Sequence, residues 1–85
     1  MSTINNEIMI TEWLKNWISK ETGLEVNKIT IDEPFVNFGM NSRQAITLSS
    51  DMEEEFKCEL DVSMVWEYPT IDKVSSYVAQ QIVKK

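Results

Sequence analysis

The 85-residue chain has no histidine and a single cysteine, Cys58, and each scarcity excludes chemistry. Without histidine there is no Ser-His-Asp triad and no zinc site of the His/Cys type. A lone cysteine forms no intramolecular disulfide, which suits a reducing, cytoplasmic setting. Two glycines and two prolines leave few breaks, which favours helices over a turn-rich β architecture. They also leave no Gly-rich phosphate loop. No apolar run is long enough to span a bilayer. Residues 1–6 lack the charged-then-apolar pattern of a secretory signal. Positive charge is scarce as well, with eight Lys and Arg against fourteen Asp and Glu, for a net charge of −6. That balance argues against nucleic acid and anionic membranes as partners. A protein with a basic patch is the natural counterpart.

What remains is enough for one small fold. Hydrophobic residues make up 42% of the chain, with three Trp, three Phe and two Tyr. That supports a single domain over residues 1–85, with about 7–83 ordered, and a monomer. Met1 and the short flanks suit a discrete protein, although a domain cut from a longer chain reads the same way.

Residues 1–6 are polar and are expected to fray. From Glu7, the spacing of Ile10, Trp13, Leu14, Trp17 and Ile18 predicts one helical face, stopped at Thr22-Gly23 with Gly23 as a left-handed cap. Residues 24–41 form a long connection pinned by Leu24, Val26, Ile29, Ile31, Phe35 and Phe38. Ile29 and Ile31 alternate like a strand, but no second run exists to pair with them, so a loop along the bundle is the reading. A second helix is predicted from Ser42 to Phe56, its buried stripe Ala45, Ile46, Ser49, Met52, Glu53 and Phe56, widened by Leu48. Asn41 and Gln44 have the spacing of a capping box. Val62, Met64, Val65 and Trp66 suit a short helix capped by Asp61, and Trp13, Trp17 and Trp66 are expected in or half in the core. After the break at Glu67-Tyr68-Pro69, Thr70 caps a last helix carrying Ile71, Val74, Tyr77, Val78, Ile82 and Val83 inward, with Lys84 and Lys85 at its negative end. The expected fold is all-α, three main helices and one short helix.

Ser42 is the residue with chemical potential. Gly39-Met40-Asn41-Ser42-Arg43 lacks the second glycine of a nucleophile elbow. The acidic run Asp51, Glu53, Glu54, Glu55 lacks calcium-loop spacing and its turn glycine, and no metal site is expected. An independent catalyst is therefore not expected. A serine opening a helix instead has an exposed hydroxyl beside unpaired backbone N–H groups, at a positive helix end that favours an anion. Alone, the same serine reads better as an ordinary polar residue of a first turn.

Two separated motifs add to that reading. Phe38-Gly39-Met40-Asn41-Ser42, followed by Ala45-Ile46, Leu48, Met52-Glu53 and Phe56, resembles the signature of acyl carrier proteins. Trp66-Glu67-Tyr68-Pro69-Thr70-Ile71 is similar to the aromatic-x-x-Pro-Thr-Ile stretch before that family's last helix. The resemblance covers about Ile10 to Ile82. It implies a non-catalytic carrier whose Ser42 receives 4′-phosphopantetheine from coenzyme A, with Gly39, Met40 and Asn41 around the attachment point. It also implies a phosphopantetheinyl transferase, an acyl-loading enzyme (an acyltransferase or acyl-adenylate ligase) and a ketosynthase or other acyl-processing enzyme as partners. Carriers of polyketide or hybrid polyketide/peptide assembly lines are the most similar, especially those fed a fatty acyl group by an acyl-adenylate ligase. Two departures stand out: the family has Asp where this chain has Asn41, and many carriers have Leu where it has Arg43.

Asp51, Glu53, Glu54 and Glu55, with Glu59 and Asp61 beyond, read residue by residue as a solvated face. As a group they suit steering of basic partners, with Arg43 and Met64 on the same recognition surface. Met40 and Met64 are expected to flank the arm. Two alternatives stay open: a peptidyl carrier with an aminoacyl cargo, and an unmodified acidic adaptor that binds through the second helix.

Overall fold

Twenty residues of helix at about 1.5 Å per residue span about 30 Å, so α1 (Thr3–Thr22) is nearly as long as the 33 Å long dimension of the molecule. The structure is a computed structural model that describes residues 3–61 and 63–84, with side chains from 6–61 and 63–82. Ile10, Leu14 and Ile18 on α1 are fully buried, and Trp13 and Trp17 pack half-buried beside them. The helix begins at Thr3, within the stretch expected to fray, and Asn6 is buried. Polar residues carry no apolar period, so sequence patterning does not extend the helix into this stretch. Gly23 ends the helix at φ 81°, its N–H donating to the Ser19 carbonyl at 2.9 Å.

The connection to the next helix contains two short 3₁₀ turns, Val26–Lys28 and Phe35–Phe38. Ile29, Phe35 and Phe38 are its pins, as expected; Leu24, Val26 and Ile31 remain exposed. One antiparallel bridge joins Pro34 to Thr70, and no strand forms among the described residues.

Helix α2 (Ser42–Phe56) buries Ala45, Leu48, Ser49 and Met52. Ile46 is 56% exposed and lies off the stripe on which sequence spacing had put it. A residue at the edge of an apolar arc is assigned by the neighbouring helices, not by its own helix. Glu53 also departs from a core role, since its Oε2 accepts the Leu60 N–H at 2.8 Å and closes the turn after α2. Helix α3 (Met64–Glu67) buries Met64 and Val65 and leaves Trp66 52% exposed, against the expectation of an anchor. Four residues of helix have room to bury only one side. Ser63 rather than Asp61 precedes the first helical residue, and Asp61 acts one step earlier: its Oδ1 accepts both the N–H and the hydroxyl of Ser63 at 2.9 Å. Val62, expected in this helix, lies outside the described residues.

Helix α4 (Ile71–Lys84) buries Ile71, Val74 and Val78, and also Ser75 and Ala79, which sequence spacing had passed over. Tyr77 and Ile82 are half-buried; the Val83, Lys84 and Lys85 side chains lie outside the description. α4 packs along α1, where Thr11 donates a hydrogen bond to the Ser75 hydroxyl at 2.9 Å. α1 meets α2 through an edge-on Trp13–Phe56 contact at 5.4 Å and a bond from Trp17 Nε1 to Asp51 Oδ2 at 2.8 Å. Tyr68 and Tyr77 stack at 4.7 Å, and burial pushes the Tyr77 phenol up. The result is the expected all-α architecture. No described helix is long and apolar enough to cross a membrane.

Candidate functional site

The site begins with a backbone turn. Gly39 ends the Phe35–Phe38 turn at φ 83°, a left-handed conformation that costs a residue with a Cβ about 1–2 kcal/mol. The space around it is open, so glycine is required by conformation and not by crowding. Met40 follows and is buried, a pin that holds the chain down one residue after the reversal.

Asn41 is extended and caps α2. Its Oδ1 accepts the Gln44 N–H at 2.9 Å, and Gln44 Oε1 accepts the Asn41 N–H at 3.0 Å. The predicted capping box is therefore present. The Asn41 carbonyl takes the Ala45 N–H at 3.0 Å, the first bond of the helical ladder. The N–H groups of Ser42 and Arg43 stand ahead of that ladder.

Ser42 is the first helical residue and is exposed. Among the described residues none hydrogen-bonds its hydroxyl. No acidic residue occupies the first turn of α2, and Arg43 is next in sequence. A phosphodiester on Ser42 Oγ would thus lie by unpaired backbone donors at a positive helix end, with a cationic residue next in sequence on an otherwise acidic chain. The residues present fit such a group.

The other expected site residues separate. Glu54 and Glu55 are exposed but lie about 18 Å along the axis from Ser42 at the rise of an α-helix. Asp51 is exposed and already holds Trp17, and Glu53 holds Leu60. Met64 is fully buried and does not share the surface of the carboxylates. Among the described residues no group of three His, Cys, Asp or Glu is placed to hold a metal ion. Sequence spacing missed the contacts of Ile31, Pro34 and Phe35 with Pro69–Asp72, which fasten the loop leading to Ser42 and join residues far apart in the chain.

Residues 12–78 match the family model described as the phosphopantetheine attachment site. The chain is 33% identical over 72 residues to the non-reducing polyketide synthase nscA of Arthroderma benhamiae, covering 85% of this chain and 4% of that protein. It thus spans a small fraction of the length of the curated relatives it matches. Among solved structures, a free-standing peptidyl carrier protein from an Acinetobacter baumannii secondary metabolic pathway superposes with a TM-score of 0.84 at 27% identity, covering 91% of this chain and 96% of that one. The acyl carrier protein LipD of Actinoplanes friuliensis superposes with a TM-score of 0.75 at 25% identity, covering 100% and 94%. Sequence motif, helical fold and exposed helix-opening serine agree, and the chain belongs to the phosphopantetheine-attachment family of carrier proteins.

Proposed function

We propose that Ser42 is the attachment residue and that the chain carries acyl or polyketide intermediates as thioesters on its 4′-phosphopantetheine arm. The observation that supports this most is the exposed, unengaged Ser42 hydroxyl at the start of a capped helix. In the transfer, Ser42 Oγ forms a bond to the phosphorus that bears pantetheine in coenzyme A. The bond from that phosphorus to the nucleotide half breaks, adenosine 3′,5′-bisphosphate leaves, and the serine proton passes to a base of the transferase or to solvent. When attached, the arm supplies a terminal thiol on a long flexible tether, which raises the local concentration of cargo at successive enzymes. The chain's own residues hold the serine outward and offer donors to the phosphodiester.

The partners proposed are a phosphopantetheinyl transferase, an acyltransferase or acyl-adenylate ligase, and a ketosynthase or similar acyl-processing enzyme, in the cytoplasm. Glu54 and Glu55 are the free carboxylates of α2. Their separation from Ser42 exceeds the physiological Debye length of about 8 Å, so they act on a partner that spans much of α2 and not on the serine itself. A polyketide synthase among the relatives supports an acyl cargo, and the free-standing peptidyl carrier supports an aminoacyl cargo as a second reading. The two separate by offering the arm-bearing protein to fatty acyl-adenylate ligases and to amino acid adenylating enzymes. Thioester formation with the first class alone supports the acyl reading. Loading with amino acids alone supports the second.

A further inference from the structure

The motif Tyr68-Pro69-Thr70-Ile71-Asp72 is far from Ser42 in sequence, yet it holds the loop that ends at that serine. Phe35 N–H donates to the Pro69 carbonyl at 2.9 Å, and Asp72 N–H donates to the Ile31 carbonyl at 3.0 Å. Pro34 and Thr70 form the bridge between these bonds. The Asp72 N–H lies in the first turn of α4, where backbone donors have no partner inside the helix. The loop therefore satisfies a donor that would otherwise need water. Thr70 is buried, and its hydroxyl donates to Asp72 Oδ1, which also accepts the Lys73 N–H at 2.8 Å. One carboxylate oxygen thus fixes both Thr70 and the first turn of α4.

The clamp has a short mechanical path to the serine. Pro34 is the cap of the Phe35–Phe38 turn, its carbonyl accepting the Asn37 N–H at 2.9 Å. The Val36 carbonyl accepts the Gly39 N–H at 3.1 Å, and Phe35, Phe38 and Met40 are buried. One tight turn, pinned by Phe35 and Phe38, separates the clamped residues from the reversal at Gly39, and Met40 pins the step to the cap at Asn41.

We infer that Thr70 and Asp72 are positioning residues for Ser42, holding the 31–41 loop in the one conformation that a transferase recognises. This rests on Ser42 being the attachment residue. Loosening the clamp lowers the fraction of molecules with the serine correctly presented, and a substrate that is only partly competent shows a raised KM with an unchanged kcat.

The test uses the apo-protein as substrate of a promiscuous phosphopantetheinyl transferase with coenzyme A and Mg²⁺, read by intact mass. Temperatures are chosen at which circular dichroism shows each variant folded. Thr70→Val is expected to raise KM for the carrier, by at most about fivefold, the size of one neutral hydrogen bond, and to leave kcat unchanged. Thr70→Ser, which keeps the hydroxyl, restores KM. Amide exchange at Phe35, Gly39 and Asp72 accelerates in Thr70→Val and not in Thr70→Ser. Asp72→Ala, at an exposed position, gives the same pattern and serves if Thr70→Val does not fold. An unchanged KM in the folded variants overturns the inference, as does unchanged exchange at those three amides. If the unaltered protein is not modified, or Ser42→Ala is modified equally, the attachment reading itself fails, and the two failures are distinct.

Discussion

Asn41 and Gln44 exchange two hydrogen bonds across the start of α2, at 2.9 and 3.0 Å, and both donors satisfied are backbone N–H groups. The cap needs only an oxygen at the Asn41 side chain, so an aspartate in its place would fold the helix equally well. Asn41→Asp is expected to change stability by no more than the helix-end charge effect, about 0.3–1 kcal/mol. Asn41→Ala is expected to lose about 1 kcal/mol. Denaturant melts of the three proteins check this. The charge is expected to matter instead to the transferase, as a group that places its metal or basic residues. Modification of Asn41→Asp is therefore expected to be faster than that of the unaltered chain; equal rates contradict this part of the account.

Positive φ occurs at Gly23, Gly39 and Lys57, and the last two sites make opposite predictions. Nothing crowds a Cβ at Gly39, so Gly39→Ala is expected to cost about 1–2 kcal/mol from backbone strain alone. Lys57 ends α2 at φ 55° with a side chain that disfavours that geometry. Lys57→Gly is expected to raise stability by up to about 1 kcal/mol. A loss of stability in Lys57→Gly would mean that its exposed side chain contributes more than its backbone costs.

The bond from Trp17 Nε1 to Asp51 ties α1 to α2 at an exposed seam. Asp51→Ala is expected to cost about 1 kcal/mol and Glu54→Ala much less, since Glu54 holds nothing. Equal costs would show that net charge, not this bond, decides the stability of the face.

Asp61 predicts an acid-sensitive α3. Hydrogen bonds from the Ser63 backbone and hydroxyl hold its carboxyl below the usual 3.8. A depressed folded value means that the contribution is present well above pH 3.8 and is lost as pH falls through the lowered value. Asp61→Asn keeps an accepting oxygen without the titration. Its local signals around Ser63 and Met64, followed by amide resonances, are expected to stay constant over the acid range in which the unaltered protein changes. Identical acid profiles for both proteins contradict the assignment.

How much of this was legible in the sequence depended on the range of the interaction. The bounds Ser42–Phe56, the Asn41–Gln44 box and the Gly23 stop involve residues within a few positions of one another, and all appear as expected. Ile46 and Trp66 looked apolar enough to bury and did not, because which edge of a helix is covered depends on neighbours that local spacing does not describe. Ser75 and Ala79 were passed over for the same reason, being small or polar residues that close packing with α1 draws inside. At the site, Ser42 and its cap were readable as local chemistry, whereas the burial of Met64 and the clamp at Thr70 arise only when distant segments meet.

The most direct test of the account is the mass of the protein after incubation with coenzyme A, Mg²⁺ and a promiscuous phosphopantetheinyl transferase, followed by fragmentation to locate the added group. The account predicts one phosphopantetheine per chain, on Ser42 alone, and none on Ser42→Ala. Modification at another serine, or a chain that stays unmodified under conditions that convert a known carrier, would contradict it.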